Sequence, residues 1–400
     1  MHSNDQSTNT ESLKEIASHF LKIGVLAYGG PAIMGIMQNE LQEKRQWVSK
    51  ARFIEGLSLV NLLPGAGATQ LGIFLGYERG GWWGGLVAGL CFMLPAFFIM
   101  LTLAIIYSVF GSTSFMRSAL YGLGPVVLGI YIVAVYRLGK NVICGLPQIL
   151  IAISAAATVV MTSLGIAIVL LLAAAVGITT YHSKKTGLIV SAVVIGTYSL
   201  IQWTLLQQAS TDVLKNASAP ALSELGLVFL QIGALTFGGG LTVIAFAQEQ
   251  VVNQYHWLSH QEFIDGLALG QFTPGPILMI AAYVGFKVTG LVGAIVSALA
   301  IFLPSFVFML SILPVYNRIR NLQWMKAAMK GVGPATIGVL SISLLQLTPH
   351  AVPDAFATVI LLSSIFAMLI WKVGLLKLIF SGSFAGVLYD KIIIPTVNKI

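Results

Sequence analysis

The chain has 400 residues, 57% of them hydrophobic and 9% charged, with a mean hydropathy of +0.88 and a formal net charge of +8. Soluble domains carry about 25% charged residues, so the composition excludes one and indicates an integral membrane protein. The basic excess lies in short loops between apolar runs, where it orients spans in a bilayer; it does not indicate nucleic-acid binding.

The amino terminus, MHSNDQSTNTESLKEIASHF, has no basic stretch leading into an apolar one and is not expected to be a cleaved signal peptide. Ser12 with Glu15 three positions on predicts a capping box opening the first helix. The apolar run FLKIGVLAYGGP at 20–31 is then interrupted by Gly29 and Gly30, although each helical glycine costs about 1 kcal/mol against alanine. Lys22 lies inside this run, either as a functional intramembrane charge or as a side chain snorkelling to the interface. Beyond Glu40 comes a basic loop with Lys44, Arg45, Lys50 and Arg52. FIEGLSLVNLLPGAG at 53–67 ends on Pro64 and Gly65, which cannot continue a helix, with Asn61, Thr69 and Gln70 as nearby polar groups. Apolar segments near the 20 or so residues that a span needs follow at 82–110, 119–138, 147–162, 164–180 and 187–206. Cys91 and Cys144 sit in apolar surroundings as packing residues and define no disulfide or metal framework.

After the linker QQASTDVLKNASAP the chain repeats itself. FLQIGALTFGGG at 229–240 carries Gly238, Gly239 and Gly240 at the level of the first glycine pair. FIDGLALGQFTPGPI at 263–277 matches the first Pro-Gly run and contains Gln271, Thr273, Pro274, Gly275 and Pro276. LPAFFIM at 94–100 returns as LPSFVFM at 303–309, and GLGPVVLGI at 122–130 as GVGPATIGV at 331–339. Gly165 and Gly177 fall on Gly374 and Gly386, and further apolar segments lie at 290–316, 327–347, 355–371 and 373–389. The offset shifts by one residue between Trp47 and Gly76, read as an insertion before Trp257. On this pairing Glu40 falls on Glu249, and the two are candidate proton-coupling carboxylates or partners of loop cations. Glu55 falls on Asp265, both flanking loops, and Lys22 on Gln231. The expected organisation is a first repeat at 1–182, a connecting apolar segment and polar linker at 183–219, and a second repeat at 220–400.

Matched loops have opposite charge bias: 44–52 is basic where the loop around Trp257 lacks Lys and Arg, and Arg117 stands alone where its partner loop holds Arg318, Arg320, Lys326 and Lys330. Cytoplasmic loops collect Lys and Arg, so the halves are inverted repeats. The basic clusters share one side only if 20–38 with 56–78, and 229–247 with 266–286, are broken or re-entrant helices. The fold class is therefore an all-α polytopic membrane protein of two homologous halves, the symmetry typical of secondary transporters. Barrel-like alternation is absent.

Helix breaks inside a membrane survive where protein or water satisfies the freed backbone, and each helix start exposes N–H groups and about half a positive charge. Such breaks suit a small oxyanion; helix kinking and close helix crossing at the glycines are the plainer alternatives. His256 and His260 are expected to be solvated, with no third metal ligand, and no cofactor is implied.

The paired glycine elements, the Pro-Gly turns after F-I-(E/D)-G-L and the LP(A/S)F motif together resemble the chromate ion transporter family in its two-domain form, from about Leu13 to Leu388. The resemblance implies a multi-pass protein of the cytoplasmic membrane that exports chromate using the proton gradient. It places Gly29-Gly30-Pro31, Gly238-Gly239-Gly240, Pro64-Gly65 and Pro274-Gly275-Pro276 on the family's motifs. The first half departs from the pattern, with Ala66 and Gly67 where many members have a second proline and a polar residue. The rival reading is uptake or exchange of sulfate or another small anion, because sulfate has chromate's shape and charge. A membrane-embedded enzyme lacks its motifs here, since no HExxH or GxSxG occurs, and GxxxxGK(S/T) for nucleotide-driven pumping is also missing. A passive channel would ignore a proton gradient. The partners expected are the lipid bilayer and the oxyanion; a homo-oligomer is compatible with the sequence but not encoded in it.

Overall fold

A computed structural model describes residues 3–28, 30–162, 164–209, 221–237, 240–315 and 322–393. The first half runs α1 (Ser3–Leu26), α2 (Gly30–Met37) continuing into a π-helical turn at Gln38–Lys44, α3 (Lys50–Leu62), α4 (Gly67–Phe110), α5 (Ser114–Val142), α6 (Leu146–Met161) and α7 (Ile166–Tyr181). α8 (Lys184–Ala209) leads to the second half: α9 (Leu222–Ala234), α10 (Thr242–Ala247) continuing into a π-helical turn at Gln248–Gln254, α11 (His260–Phe272), a 3₁₀ turn at Ile277–Met279, α12 (Ile280–Ile312), α13 (Gln323–Ala351), α14 (Ala355–Leu369) and α15 (Leu375–Leu388). No strand occurs among the described residues.

The repetition extends to backbone detail. Gln46 and His256 both have φ 52° just beyond the π-helical turns. Ser49 and Ser259 then cap α3 and α11, Ser259 through a full capping box with Glu262. α4 and α12 each fold back on themselves, at Gly80–Gly81 and at Thr289–Gly290, where the second residue has φ 61° and 71°. The short arm before each fold lies against the long arm after it, with Gly76 on Gly84 and Ala88, and Gly285 on Gly293 and Ser297. A side chain at any of these glycines would fill the crossing, so small residues set the close approach.

The short arms close the predicted re-entrant hairpins. α3 ends where Pro64 forbids helix, and the chain returns along α4 with the Phe74 ring over Gly56; Tyr283 lies likewise over Gly266. Both ends of the first Pro-Gly hairpin meet at one mouth, where Arg52 bonds Glu78 at 2.8 Å. At the second mouth Lys287 bonds Glu262 at 2.9 Å. The first glycine hairpin closes the same way, since Glu15 of α1 reaches Arg45 beyond the π turn at 3.8 Å.

The halves are inverted. Arg79 marks the first mouth, while Tyr107, at the far end of the long arm of α4, bonds Asp265 at 2.8 Å and carries Lys287 over its ring at the second mouth. At 1.5 Å per residue the 26 residues from Trp82 to Tyr107 extend about 38 Å, enough to cross a bilayer. The two long arms pack antiparallel, Gly89 on Phe306 and Gly85 on Leu310. The halves also exchange helices: α6 and α7 pack on α13, and α14 and α15 on α5. Gly177 meets Gly331 and Gly386 meets Gly122 backbone to backbone.

Charge follows this axis. Arg45, Arg52, Arg79, Arg137 and Lys330 lie toward one end, with Trp82, Trp83, Trp324 and Trp371 exposed at its rim like an interfacial belt. Glu262, Lys287, Asp354 and Asp390 lie toward the other. Between them, apolar side chains such as Phe98, Leu150, Leu299 and Phe380 face outward, as lipid-facing surface does.

Several sequence expectations shift. The first helix begins at Ser3, so Ser12 lies inside it and not at its start. The π turns at 38–44 and 248–254 are 210 residues apart, whereas Ala27 and Thr236 play equivalent parts 209 apart. The extra residue therefore lies between Thr236 and Gln248, the stretch that holds the second glycine motif, and not in the loop leading to Trp257. The offset returns to 209 after the Pro-Gly tip because the second half winds Ile277–Met279 as a 3₁₀ turn, which uses fewer residues. Cys144 is exposed and Cys91 half-buried.

Candidate functional site

The chain breaks converge at mid-height of the long arms. Gly24 of α1 lies against Phe92 and Pro95, Gly65 against Ser305, and Gly275 against Ala96. Gly65 and Gly275 have φ of 127° and 100°, values that side-chain-bearing residues seldom adopt, which accounts for glycine at both tips. Each tip reaches into the opposite half: the Gly65 N–H donates to the Thr236 carbonyl at 2.6 Å, and the Gly275 N–H to the Ala27 carbonyl at 2.7 Å. Ala27 and Thr236 stand just past α1 and α9, so these bonds also supply donors to helix-end carbonyls that have no intrahelical partner.

The tips differ in their next residue. The Ala66 N–H donates to Ser305 Oγ at 2.8 Å. In the second half Pro276 has no N–H, and the residue equivalent to Ser305 is Ala96, which has no hydroxyl. Two substitutions far apart in sequence thus compensate each other across the repeat.

Polar groups collect at the first tip. Gly67, Ala68 and Thr69 open α4, where first-turn N–H groups have no intrahelical acceptor. Thr69 and Gln70 are fully buried; Gln70 Nε2 donates to the Pro64 carbonyl at 2.6 Å. Thr69 Oγ1 and Gln70 Oε1 have no hydrogen-bond partner among the described residues. A buried polar atom without a partner costs about 1–3 kcal/mol, so these two are poised for a ligand or water. The corresponding second-half positions hold Leu278 and Met279. There Thr273 Oγ1 bonds the Leu269 carbonyl at 3.3 Å, and Gln271 Nε2 donates to Tyr131 Oη at 2.7 Å.

Of the other sequence candidates, Gly30 opens α2 and Gly240 is buried with φ 96°, whereas Gly29, Gly238 and Gly239 lie outside the described residues. Pro64, Pro274 and Pro276 form the tips; Asn61 and Lys22 are exposed. Glu40 lies at the first mouth, paired with Lys44 at 3.2 Å and Arg45 at 3.5 Å, and these cations hold its carboxyl below the usual range. Glu249 accepts from Asn253 at 3.0 Å. With the corrected register Glu249 matches Asn39, and Glu40 matches Gln250, so the two glutamates are not equivalent.

Each mouth contains a cavity. One of about 440 Å³ is lined by Glu15, Glu40, Lys44, Arg45, Trp47 and Arg79. The other, about 620 Å³, is lined by Asn253, His256, His260, Gln261 and His350, with His260 stacked on His350 at 4.3 Å. His260 is therefore half-buried against a partner and not a freely solvated loop residue. No group of three metal-binding side chains occurs among the described residues.

Sequence reasoning missed Ser305 and Asp265. The Ser/Ala exchange in LPSFVFM against LPAFFIM, set beside Ala66 against Pro276, was a usable signal for the first; nothing in the sequence marked Asp265 as buried.

The profile of the family described as Chromate transporter matches residues 14–178 and again 223–387. The chain belongs to the chromate transporter family. It is 33% identical over 366 residues to a chromate transport protein of Cupriavidus metallidurans, covering 91% of this chain and 89% of that protein. A probable chromate transport protein of Synechococcus elongatus is 32% identical over 370 residues, 91% of each chain. An uncharacterized transporter of Bacillus subtilis, YwrA, is 31% identical over 173 residues, which are 95% of its own length and 42% of this chain. A single half thus occurs as a separate protein. No solved structure matches. Family and fold together make this a multi-pass cell-membrane protein of two inverted halves.

Proposed function

We propose that this chromate transporter family member exports chromate, or a tetrahedral oxyanion of the same charge and size, from the cytoplasm in exchange for protons. The observation that carries the reading is the meeting of helix breaks at mid-height, with Thr69 Oγ1 and Gln70 Oε1 buried and unpartnered beside the N-terminus of α4. A helix start contributes about 0.3–2 kcal/mol toward an anion, so one terminus alone does not hold a dianion out of water. The Thr69 hydroxyl adds a donor, and Gln70 Oε1 offers an acceptor to water or to a protonated oxyanion. The Gly65, Ala66 and Gly275 N–H groups are engaged by protein in this closed arrangement. An alternate arrangement that parts the halves would release them to the substrate, which links binding to movement of one half against the other. Export accords with the basic end being cytoplasmic, because its cavity gathers Lys44, Arg45 and Arg79 where an anion enters.

The test is labelled chromate movement in oriented vesicles with an imposed pH gradient, with sulfate as competitor and Thr69→Val beside the wild type. Expected are gradient-driven chromate movement and an apparent Kd raised about tenfold in Thr69→Val, one good hydrogen bond to an anion being worth ~1.5 kcal/mol or more. Sulfate movement without chromate movement replaces the substrate, and an unchanged Kd in Thr69→Val removes the site from the first tip.

A further inference from the structure

Asp265 is the one buried charged side chain among the described residues, with 6% of its surface exposed. It lies on α11, in the second re-entrant hairpin, and its carboxylate receives only neutral donors. Tyr107 Oη donates to Oδ2 at 2.8 Å and Gln261 Nε2 to Oδ1 at 3.0 Å. No basic group among the described residues lies within ion-pair distance.

The repeat explains how this carboxylate lost its cation. Glu55, its first-half counterpart, is bound by Arg52 at 2.7 Å, and Arg52 also bonds Glu78. In the second half this mouth pair has exchanged sign: Glu262 stands where Arg52 does, and Lys287 where Glu78 does. The bridge survives the exchange, but the carboxylate beside it does not keep its partner. Glu55 neighbours a guanidinium, whereas Asp265 neighbours another carboxylate and is buried besides. Burial and a like charge both favour the protonated form. The other titratable groups nearby do not offset this. Lys287 is engaged by Glu262 and lies over the Tyr107 ring, Tyr283 donates to the Glu262 carbonyl, and His260 is stacked on His350 at the start of the helix.

We propose that Asp265 is the residue that binds and releases the coupled proton, and that Tyr107 makes its charge state decide whether the second mouth stays shut. This rests on the proton-coupled reading above. Tyr107 belongs to the first half and Asp265 to the second, so their bond spans the surface along which the halves must part. The ionised carboxylate holds Tyr107 through a charge-assisted hydrogen bond. A proton arriving from the second mouth neutralises the carboxylate, weakens that bond and frees the hairpin from the long arm of α4. Return of the proton on the other side restores it. The first half is built differently, because there the carboxylate is held by the Arg52 guanidinium and not by a hydroxyl of the other half.

The experiment compares wild type, Asp265→Asn, Asp265→Glu and Tyr107→Phe in vesicles by two readouts: chromate exchange at equal pH on both sides, and chromate accumulation driven by a pH gradient. Asp265→Asn is expected to keep exchange and to lose the gradient response, falling to the ratio seen without a gradient. Asp265→Glu is expected to restore the response with a displaced pH profile, and Tyr107→Phe, which lacks the hydroxyl that links the charge to closure, to keep exchange and weaken the response. Asp265→Asn that follows the gradient like the wild type overturns the proposal. So does loss of exchange in Asp265→Asn that Asp265→Glu does not restore, which is the mark of a structural role. A wild type that exchanges chromate but ignores the gradient overturns proton coupling itself, so the two failures fall on different proteins.

Discussion

The two Pro-Gly tips share a backbone and differ in chemistry. Both carry a left-handed glycine, both donate across to a helix end of the other half, and both face the middle of a long arm. Yet the first tip presents Ala66, Thr69 and Gln70 against Ser305, and the second presents Pro276, Leu278 and Met279 against Ala96. Backbone conditions imposed by inverted symmetry are therefore met twice, while polar chemistry is concentrated on one side. A dianion held on an exact two-fold axis would need both sides alike. The unpartnered polar atoms invoked for the proposed anion site are therefore found at the first tip, where the second half has Leu278 and Met279.

The comparison breaks most completely where the halves grip each other. A Cβ at Gly331 would overlap the Ala173 carbonyl, and one at Gly122 would overlap the Gly382 carbonyl. Gly331→Leu and Gly122→Leu should each abolish folded protein in the membrane, because backbone on the far side cannot yield as a side chain can; overpacking costs ~1–3 kcal/mol even where side chains give way. Size-exclusion profiles after mild detergent extraction check this. Equal losses at the two sites would show that both swapped contacts matter alike, and survival of either would mark that half as loosely held.

A milder exchange tests whether the tips are interchangeable. Ser305→Ala strands the buried Ala66 N–H, at about 1–3 kcal/mol, and should lower the thermal midpoint. Adding Ala66→Pro, which installs the second-half pairing in the first, removes the stranded donor, and Ala66 already has φ −76°, within proline's range. The double variant should recover most of the lost stability in a double-mutant cycle. No recovery would mean that Ser305 acts through something other than Ala66.

Most of this architecture was legible in the sequence because it depends on residues with one physical use. Prolines 64 and 274 end helices, Gly65 and Gly275 allow positive φ, and the sign of the loops betrays inversion. What could not be read were relations between distant segments. The N–H groups expected to await an anion at Gly65 and Gly275 are bonded to Thr236 and Ala27, a pairing that no local pattern encodes. The register slip was placed wrongly because a one-residue insertion inside GGGL and one in the following loop give the same flanking matches. Asp265 looked like Glu55, and only tertiary packing separates a buried carboxylate from a salt-bridged one.

The smallest expected effect concerns Glu40, and it sharpens the contrast between the mouths. Its hydrogen bond to Lys44, with Arg45 beside it, lowers the carboxyl pKa below the ordinary range. A carboxylate so depressed is ionised throughout the neutral range. Its pairing contributes stability above the ordinary carboxylate pKa, and that contribution is lost only as pH falls through the lowered value. It therefore has no proton to exchange across a gradient near neutrality. Glu40→Gln removes a largely exposed ion pair, worth ~0–1 kcal/mol, so transport should change by less than about fivefold and the pH profile should keep its shape. If the midpoint of that profile moves instead, the proton site belongs at the first mouth, and the asymmetry drawn between Glu55 and Asp265 is not the one the transporter uses.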